Sequence, residues 1–191
     1  PGVSLQDLWA RIGDTTLTTP EGARLRITIR DAGARLNLNA LVPVAEEGAE
    51  SQPPAEAEEF LVAVLAKVIE EMDPPPAEGH YEPREMARNL LDYMDLDDTG
   101  IGGQREDDYY QSQDPPYRAA NRPLLSLGEV ALVQGFDARF AEALEPYADV
   151  YPLVQGAGIN LNTAPPHVLA LTYHGSGADM RLAGEDEVRQ I

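Results

Sequence analysis

The order of apolar and polar positions divides the chain in two. Between residues 24 and 41 the pattern has a period of two. Arg24-Leu25-Arg26-Ile27-Thr28-Ile29-Arg30 alternates, Asp31-Ala32-Gly33-Ala34 has turn composition, and Arg35-Leu36-Asn37-Leu38-Asn39-Ala40-Leu41 alternates again. Such alternation predicts strands with one buried face, and the two runs together predict a hairpin. Its apolar face would consist of Leu25, Ile27, Ile29, Leu36 and Leu38. Residues 43–57, with their acids, small residues and Pro53-Pro54, read as a solvated linker.

Beyond the linker the period changes to that of a helix. Phe60, Leu61, Val64, Leu65, Val68, Ile69 and Met72 recur at spacings of one, three and four, and Asp73-Pro74-Pro75-Pro76 stops the run. Met86, Leu90, Leu91 and Met94 stripe a second helix that begins near Pro83, where proline is tolerated. A third is predicted from Ser126, with Glu129 completing a capping box. A fourth spans Asp137 to Tyr147. A fifth is capped by Asn162 or Thr163 and runs through Val168, Leu169 and Leu171, and Glu185 to Ile191 has helical composition. Strands first and helices later predict an α+β fold, with a β part over residues 1–48 and a helical part over 49–191. One hairpin is marginal alone, so the β part is expected to be incomplete in this stretch.

Charge narrows the function. The chain carries 33 acidic and 14 basic residues, a formal net charge of −19. That balance excludes nucleic acid as a partner, because phosphate binding depends on Lys and Arg displacing counterions. It disfavours an anionic membrane surface in the same way. With no cysteine, disulfides, thiolate catalysis and Cys-based zinc sites are all absent. No apolar run reaches the roughly 18–20 residues of a membrane span, and no segment of these residues reads as a secretory leader. Pro1-Gly2 reads as a cut start, so a natural anchor upstream is expected.

The candidate chemistry lies in Asp95-Leu96-Asp97-Asp98-Thr99-Gly100-Ile101-Gly102-Gly103-Gln104-Arg105-Glu106. On the twelve-residue EF-hand pattern, Asp95, Asp97 and Thr99 take positions one, three and five, Gly100 the sharp turn, Ile101 position seven and Glu106 position twelve. Calcium takes six to eight oxygens, and alternate residues of a curling loop can aim theirs at one centre. Thr99 replaces the usual Asp or Asn, and Gly102 replaces the apolar residue that would pair two such loops, so a lone calcium loop is expected. Asp92, Asp107 and Asp108 are close enough in sequence to substitute as ligands. The competing reading is a solvated acidic loop with no ion. Against it, seven acids fall between Asp92 and Asp108 with only Arg105 opposing them, and crowded carboxylates repel unless a cation joins them.

Two further motifs have ordinary readings. Ile159-Asn160-Leu161-Asn162-Thr163-Ala164-Pro165-Pro166-His167-Val168-Leu169 reads as a helix entry. A DNA-gripping helix-hairpin-helix is the alternative, which the net charge disfavours. Tyr109-Tyr110 and Pro115-Pro116-Tyr117 read as aromatic locks for a long loop, or alternatively as a peptide-binding face. His80, His167 and His174 lack metal-ligand spacing, and no nucleophile elbow is present. No enzymatic activity is expected.

In order and spacing, several segments resemble the K-type minor pseudopilins of the bacterial type II secretion system, also called general secretion pathway protein K. These are Ile27-Thr28-Ile29-Arg30-Asp31 with Leu36-Asn37-Leu38-Asn39-Ala40-Leu41, Leu91-Asp92-Tyr93-Met94-Asp95-Leu96-Asp97 and Glu106-Asp107-Asp108-Tyr109-Tyr110. They continue through Pro116-Tyr117-Arg118-Ala119-Ala120-Asn121 and Leu124 to Gly135, and close with Ile159-Asn160-Leu161-Asn162-Thr163-Ala164. The likeness spans roughly residues 5 to 170. It implies a pilin-like antiparallel sheet packed on a long N-terminal helix, with a large helical domain inserted. The helix and the closing strands would lie outside this stretch, Trp9 falling just after the helix. The resemblance also implies a periplasmic domain, anchored in the inner membrane of a Gram-negative bacterium before assembly. Its partners would be the I and J minor pseudopilins, reached through the N-terminal helix and the β part. Its place would be the pseudopilus tip, where it would help initiate assembly and export across the outer membrane. Calcium is associated with the family, and its acidic motif maps onto Asp95, Asp97, Glu106 and Asp107. A periplasmic calcium-binding adaptor outside any pilus system is the alternative, and a calcium-stabilised hydrolase stands third.

Overall fold

A computed structural model describes residues 3–11, 14–42, 55–152, 158–174 and 181–190. Pro1-Gly2, residues 43–54 of the expected linker and Ile191 lie outside the described residues. A single helical turn, α1 (Leu8–Arg11), leads into β1 (Asp14–Thr18), which pairs antiparallel with β2 (Arg24–Thr28). In the turn between them the Gly22 N–H donates to the Thr19 carbonyl at 2.9 Å, and Gly22 sits at φ +86°, a conformation open to glycine. Leu17 lies opposite Leu25 and Thr15 opposite Ile27. By the period of two, Leu17, Leu25 and Ile27 share one face, and Arg24 and Arg26 the other.

This pairing corrects the hairpin expected from alternation alone. The partner of β2 is the preceding strand, and residues 35–41 turn away from it into the helical body. There β3 (Leu36–Asn37) runs parallel to residues 148–149, and a 3-10 turn over Leu38–Ala40 follows. The expected apolar face therefore splits. Leu25 is 54% exposed on the ribbon, whereas Leu38 is completely buried among helices. The polar positions of the second run are buried too. Asn39 Nδ2 donates to the Leu124 carbonyl at 3.0 Å and its Oδ1 accepts the Leu124 N–H at 2.8 Å. Asn37 Oδ1 caps the 3-10 turn through the Asn39 N–H. Paired in this way, an amide can be buried without penalty, so alternation does not mark a solvent face here.

The body is built on α2 (Ala55–Glu71) and α3 (Pro83–Met94), which end and begin where the prolines predict. Leu61, Val64, Leu65 and Val68 of α2 meet Met86, Leu90, Leu91 and Met94 of α3 in one core. Fully burying a Leu, Val or Met side chain contributes about 1.5–3 kcal/mol. Glu58 accepts from Arg84 Nη1 at 3.1 Å and Arg88 Nε at 2.9 Å, pinning the two helices at one end. A short α4 (Asp107–Gln111) packs its Tyr110 ring against Tyr93 of α3 and against Tyr117, with centroids 5.4 and 5.3 Å apart. The aromatics thus lock a loop onto the core.

The element after Ser126 is a 3-10 helix, Leu127–Leu132. Glu129 Oε1 does fold back onto the Leu125 and Ser126 N–H groups, at 3.0 and 3.2 Å. The helix α5 (Ala138–Leu144) is capped by Asp137, whose Oδ1 accepts the Phe140 N–H at 2.8 Å, and β4 (Ala148–Asp149) follows as the partner of β3. The predicted fifth helix is only one turn, α6 (Pro166–Leu169), preceded by Pro165. Neither Asn162 nor Thr163 caps it. The pair β5 (Tyr173–His174) and β6 (Arg181–Leu182) and a turn α7 (Glu185–Val188) complete the described chain. Its architecture is mixed, with helices dominant and three two-stranded pairings. No helix among the described residues is long and apolar enough to cross a membrane.

Candidate metal centre

The amphipathic stripe of α3 fixes one side of the acidic site. Asp92 lies in its last turn, and Asp95 ends the helix with its N–H on the Leu91 carbonyl at 3.0 Å. Residues three apart share a helix face, so the two carboxylates emerge together. The other side is set by α4, whose aromatic packing on α3 brings Glu106, the residue preceding it, into position. Between them the loop closes on itself. Thr99 bridges Arg105, the Gly100 N–H donates to the Gln104 carbonyl at 2.9 Å, and the Glu106 N–H reaches the Asp98 carbonyl at 3.4 Å.

Asp92, Asp95 and Glu106 converge, each offering an oxygen within 4.8 Å of the others. Asp92 and Asp95 are 5% and 3% exposed. Glu106 is half-buried as a residue, but both its carboxylate oxygens are buried. Among the described residues, Asp95 Oδ1 and both Glu106 oxygens have no hydrogen-bond donor. Buried carboxylate oxygens left without donors are costly, and a native fold rarely keeps three together unless another species satisfies them. Burial pushes all three acids up, and neighbouring negative charges push further. Asp92 rises to about 6, moderated by the Ile101 N–H; Asp95 rises to about 7 beside Asp97 and Asp92; Glu106 rises to about 8 beside Asp95 and Asp92. A cleft of about 220 Å³ opens beside them, lined by Asn89, Asp92, Gln104, Glu106 and Asp108 among others. The donor set is all oxygen, which fits a hard divalent cation such as calcium and not a thiophilic metal.

Of the residues expected to bind calcium, the fold brings Asp95 and Glu106 together. Asp97 is nearby, but its Oδ1 accepts the Thr99 N–H at 2.7 Å. Thr99 forms the bridge to Arg105. Ile101 turns its N–H toward Asp92. Asp107 Oδ1 accepts the Ala119 N–H at 3.2 Å, and its Oδ2 lies 3.8 Å from Arg118 Nε, tying the next segment to α4. Asp92 is the third acid of the cluster, although the EF-hand spacing starts after it. Its place on the face of Asp95, three residues earlier on the α3 stripe, is the signal that finds it. Asn121 at φ +42° steadies the loop, its Nδ2 donating to the Asp97 carbonyl at 2.5 Å and to Asp98 Oδ1 at 3.2 Å.

Comparison with known proteins follows the body closely. The family described as type II secretion system (T2SS), protein K matches residues 34–153. A type II secretion system protein K from Pseudomonas aeruginosa is 31% identical over 172 residues, 88% of this chain and 46% of its own length. The protein of the same name from Klebsiella pneumoniae is 29% identical over 184 residues, 96% of this chain and 51% of its own length. The chain therefore spans about half the length of the curated relatives it matches. Among solved structures, a chain of the GspK-GspI-GspJ complex from the type 2 secretion system of enterotoxigenic Escherichia coli superimposes with a TM-score of 0.70. It has 30% identity and covers 88% of this chain and 55% of the other. On these matches the chain belongs to the type II secretion system protein K family.

Proposed function

We propose that this chain is the periplasmic portion of a K-type minor pseudopilin that acts at the tip of the type II secretion pseudopilus. In that role it helps to initiate pseudopilus assembly and export across the outer membrane, as a structural component and not a catalyst. The observation that carries the reading is the likeness to a chain of a complex whose other members are named GspI and GspJ. The exposed apolar face of the β1–β2 ribbon supports it. Leu17, Leu25 and Ile27 stand in solvent on one face, with Ile29 exposed just beyond β2. Apolar surface left in water forgoes about 25 cal/mol per Å². An N-terminal helix, membrane-spanning before assembly, would cover that face and meet the I and J minor pseudopilins. The ribbon then belongs to the pilin-like part, and the segment from Leu36 sides with the inserted helical domain, whose core it enters.

In the same reading Asp92, Asp95 and Glu106 hold a calcium ion that stabilises the helical domain, with Asp97 close by. The unpartnered oxygens of Asp95 and Glu106 support this. The ion would supply positive charge where three buried carboxylates now repel.

Light scattering coupled to size-exclusion chromatography tests the assembly role, using this chain and a version extended upstream by the apolar helix. The extended protein is expected to form a one-to-one-to-one complex with the I and J pseudopilins, and the present chain to bind weakly or not at all. No complex with either protein would remove the assembly role. Equal binding by both would move the partner surface onto the helical domain.

A further inference from the structure

The Ile159–Ala164 motif does not cap a helix, and the structure gives it a different task. Asn160 donates its two amide hydrogens to separate segments, to Asp31 Oδ2 at 2.7 Å and to the Val3 carbonyl at 3.0 Å. Its backbone N–H donates to the Gly33 carbonyl at 2.7 Å. The Thr163 hydroxyl donates to Asp31 Oδ2 at 2.6 Å, and Asp31 Oδ1 accepts the Gly33 N–H at 3.0 Å. Asn160 is itself held rigid, its Oδ1 accepting the Asn162 N–H at 3.1 Å and its carbonyl the Ala164 N–H at 2.9 Å. Three stretches of chain far apart in sequence thus meet at one carboxylate and one amide.

Their position gives the knot its meaning. Every residue of β2 is exposed, and neither β1 nor β2 packs extensively on any helix of the body among the described residues. The direction of the ribbon therefore rests on the chain before and after it: Asp31–Gly33 follows β2, and Val3 lies ahead of α1, which precedes β1. We propose that Asp31, Asn160 and Thr163 form a clasp that fixes the orientation of the β1–β2 ribbon, and of the chain entering at Val3, relative to the helical body. Burial pushes the Asp31 carboxyl up, but the donors from Thr163, Asn160 and Gly33 outweigh it and hold the group below its ordinary value, so the clasp is fully charged at neutral pH. A cleft of about 440 Å³ borders the clasp, with Leu5, Trp9, Ile29 and Pro165 among the residues lining it. The clasp does not depend on the assembly role, although a subunit whose upstream helix must dock at a set angle would use such a joint.

The chain has no cysteine and a single tryptophan, which makes the joint measurable. Spin labels at Thr16→Cys on β1 and Ala66→Cys on the exposed side of α2 report the ribbon-to-body distance in the calcium-supplied 191-residue chain. Wild type and the conservative Thr163→Ser variant are expected to give one narrow distance. Asp31→Ala and Asn160→Ala are expected to lose it for a broad distribution, with red-shifted Trp9 emission and the melting of the helical body unchanged. A narrow distance retained in both alanine variants would overturn the clasp. So would a broad distance in wild type, or loss of the helical body in the variants, which would make these residues common core and not a joint. None of these readouts needs a partner, so failure here leaves the assembly role standing, and failure to bind partners leaves the clasp standing.

Discussion

Asp92 accepts the backbone N–H of Ile101 on both carboxylate oxygens, at 3.1 and 3.0 Å. That contact folds the acidic loop back over the end of α3. It explains why Ile101, placed at position seven of the expected calcium loop, presents its N–H to a carboxylate, and why Asp92 joins Asp95 and Glu106. It also needs glycine at position 100, where a Cβ would lie 2.7 Å from Asp92 Oδ2.

Gly100→Ala is therefore predicted to displace Asp92, weakening calcium binding and costing about 1–3 kcal/mol of stability, the usual range for overpacking. Gly128→Ala, where the new Cβ would come no closer than 3.8 Å to the Ser126 hydroxyl, should change stability by less than about 0.5 kcal/mol. Chemical denaturation of both variants with calcium present checks the contrast.

Without calcium, stability should depend on pH with an unusual sign. Asp95 and Glu106 titrate in the fold at about 7 and about 8, above ordinary values of 3.8 and 4.5. The native state therefore binds more protons than the unfolded state between pH 4 and 8, and stability falls as pH rises through that window. The penalty is absent below pH 4, where both states are protonated. Calcium should relieve it, so binding at pH 7 should release protons. Melts in chelator at pH 5 and pH 8, and calorimetry in buffers of different ionisation enthalpy, measure both effects.

Asp95→Asn and Glu106→Gln should separate charge from packing. Each removes a buried charge without removing volume, so in chelator each is predicted to be more stable than wild type at pH 8, by at least about 1 kcal/mol, since one pKa unit corresponds to about 1.4 kcal/mol and both groups are raised by more than one. With excess calcium the order should reverse. Thermal melts of the four protein and metal combinations give the sign directly.

Asn39→Ala should be among the most damaging changes outside the acidic loop. It strips both partners from the Leu124 N–H and carbonyl in a buried setting, at a cost of about 1–3 kcal/mol for each group left unsatisfied. Urea denaturation measures the loss.

The sequence makes α2, α3 and α5 legible because their apolar residues recur at helical spacing and their ends carry Pro or Asp. The turn after Asp31 is legible for a similar reason, since its caps are local. What escapes is pairing at a distance. Nothing in Arg35–Leu41 says that Asn37 and Asn39 will be buried against Tyr151 and Leu124, so their alternation looks like an edge of sheet. The strand β1 escapes because Asp14-Thr15-Thr16-Leu17-Thr18 holds one large apolar residue. Thr163 looks like a cap because the reach of its hydroxyl to Asp31, across 132 positions, leaves no local mark. In the acidic loop the spacing finds Asp95 and Glu106. The third acid, Asp92, comes from the helix before the loop, and the bridge between Thr99 and Arg105 diverts the residues in between.

Calcium titration calorimetry, run beside thermal melts with and without chelator at matched ionic strength, tests the triad most directly. The wild-type chain is predicted to bind calcium and to melt higher with it, the gain reaching about 2.7 kcal/mol at a free concentration one hundred times the dissociation constant. Glu106→Gln is predicted to lose both the binding and the gain. Identical wild-type midpoints with and without calcium, or a Glu106→Gln variant that keeps the wild-type isotherm, would contradict a calcium ion held by Asp92, Asp95 and Glu106.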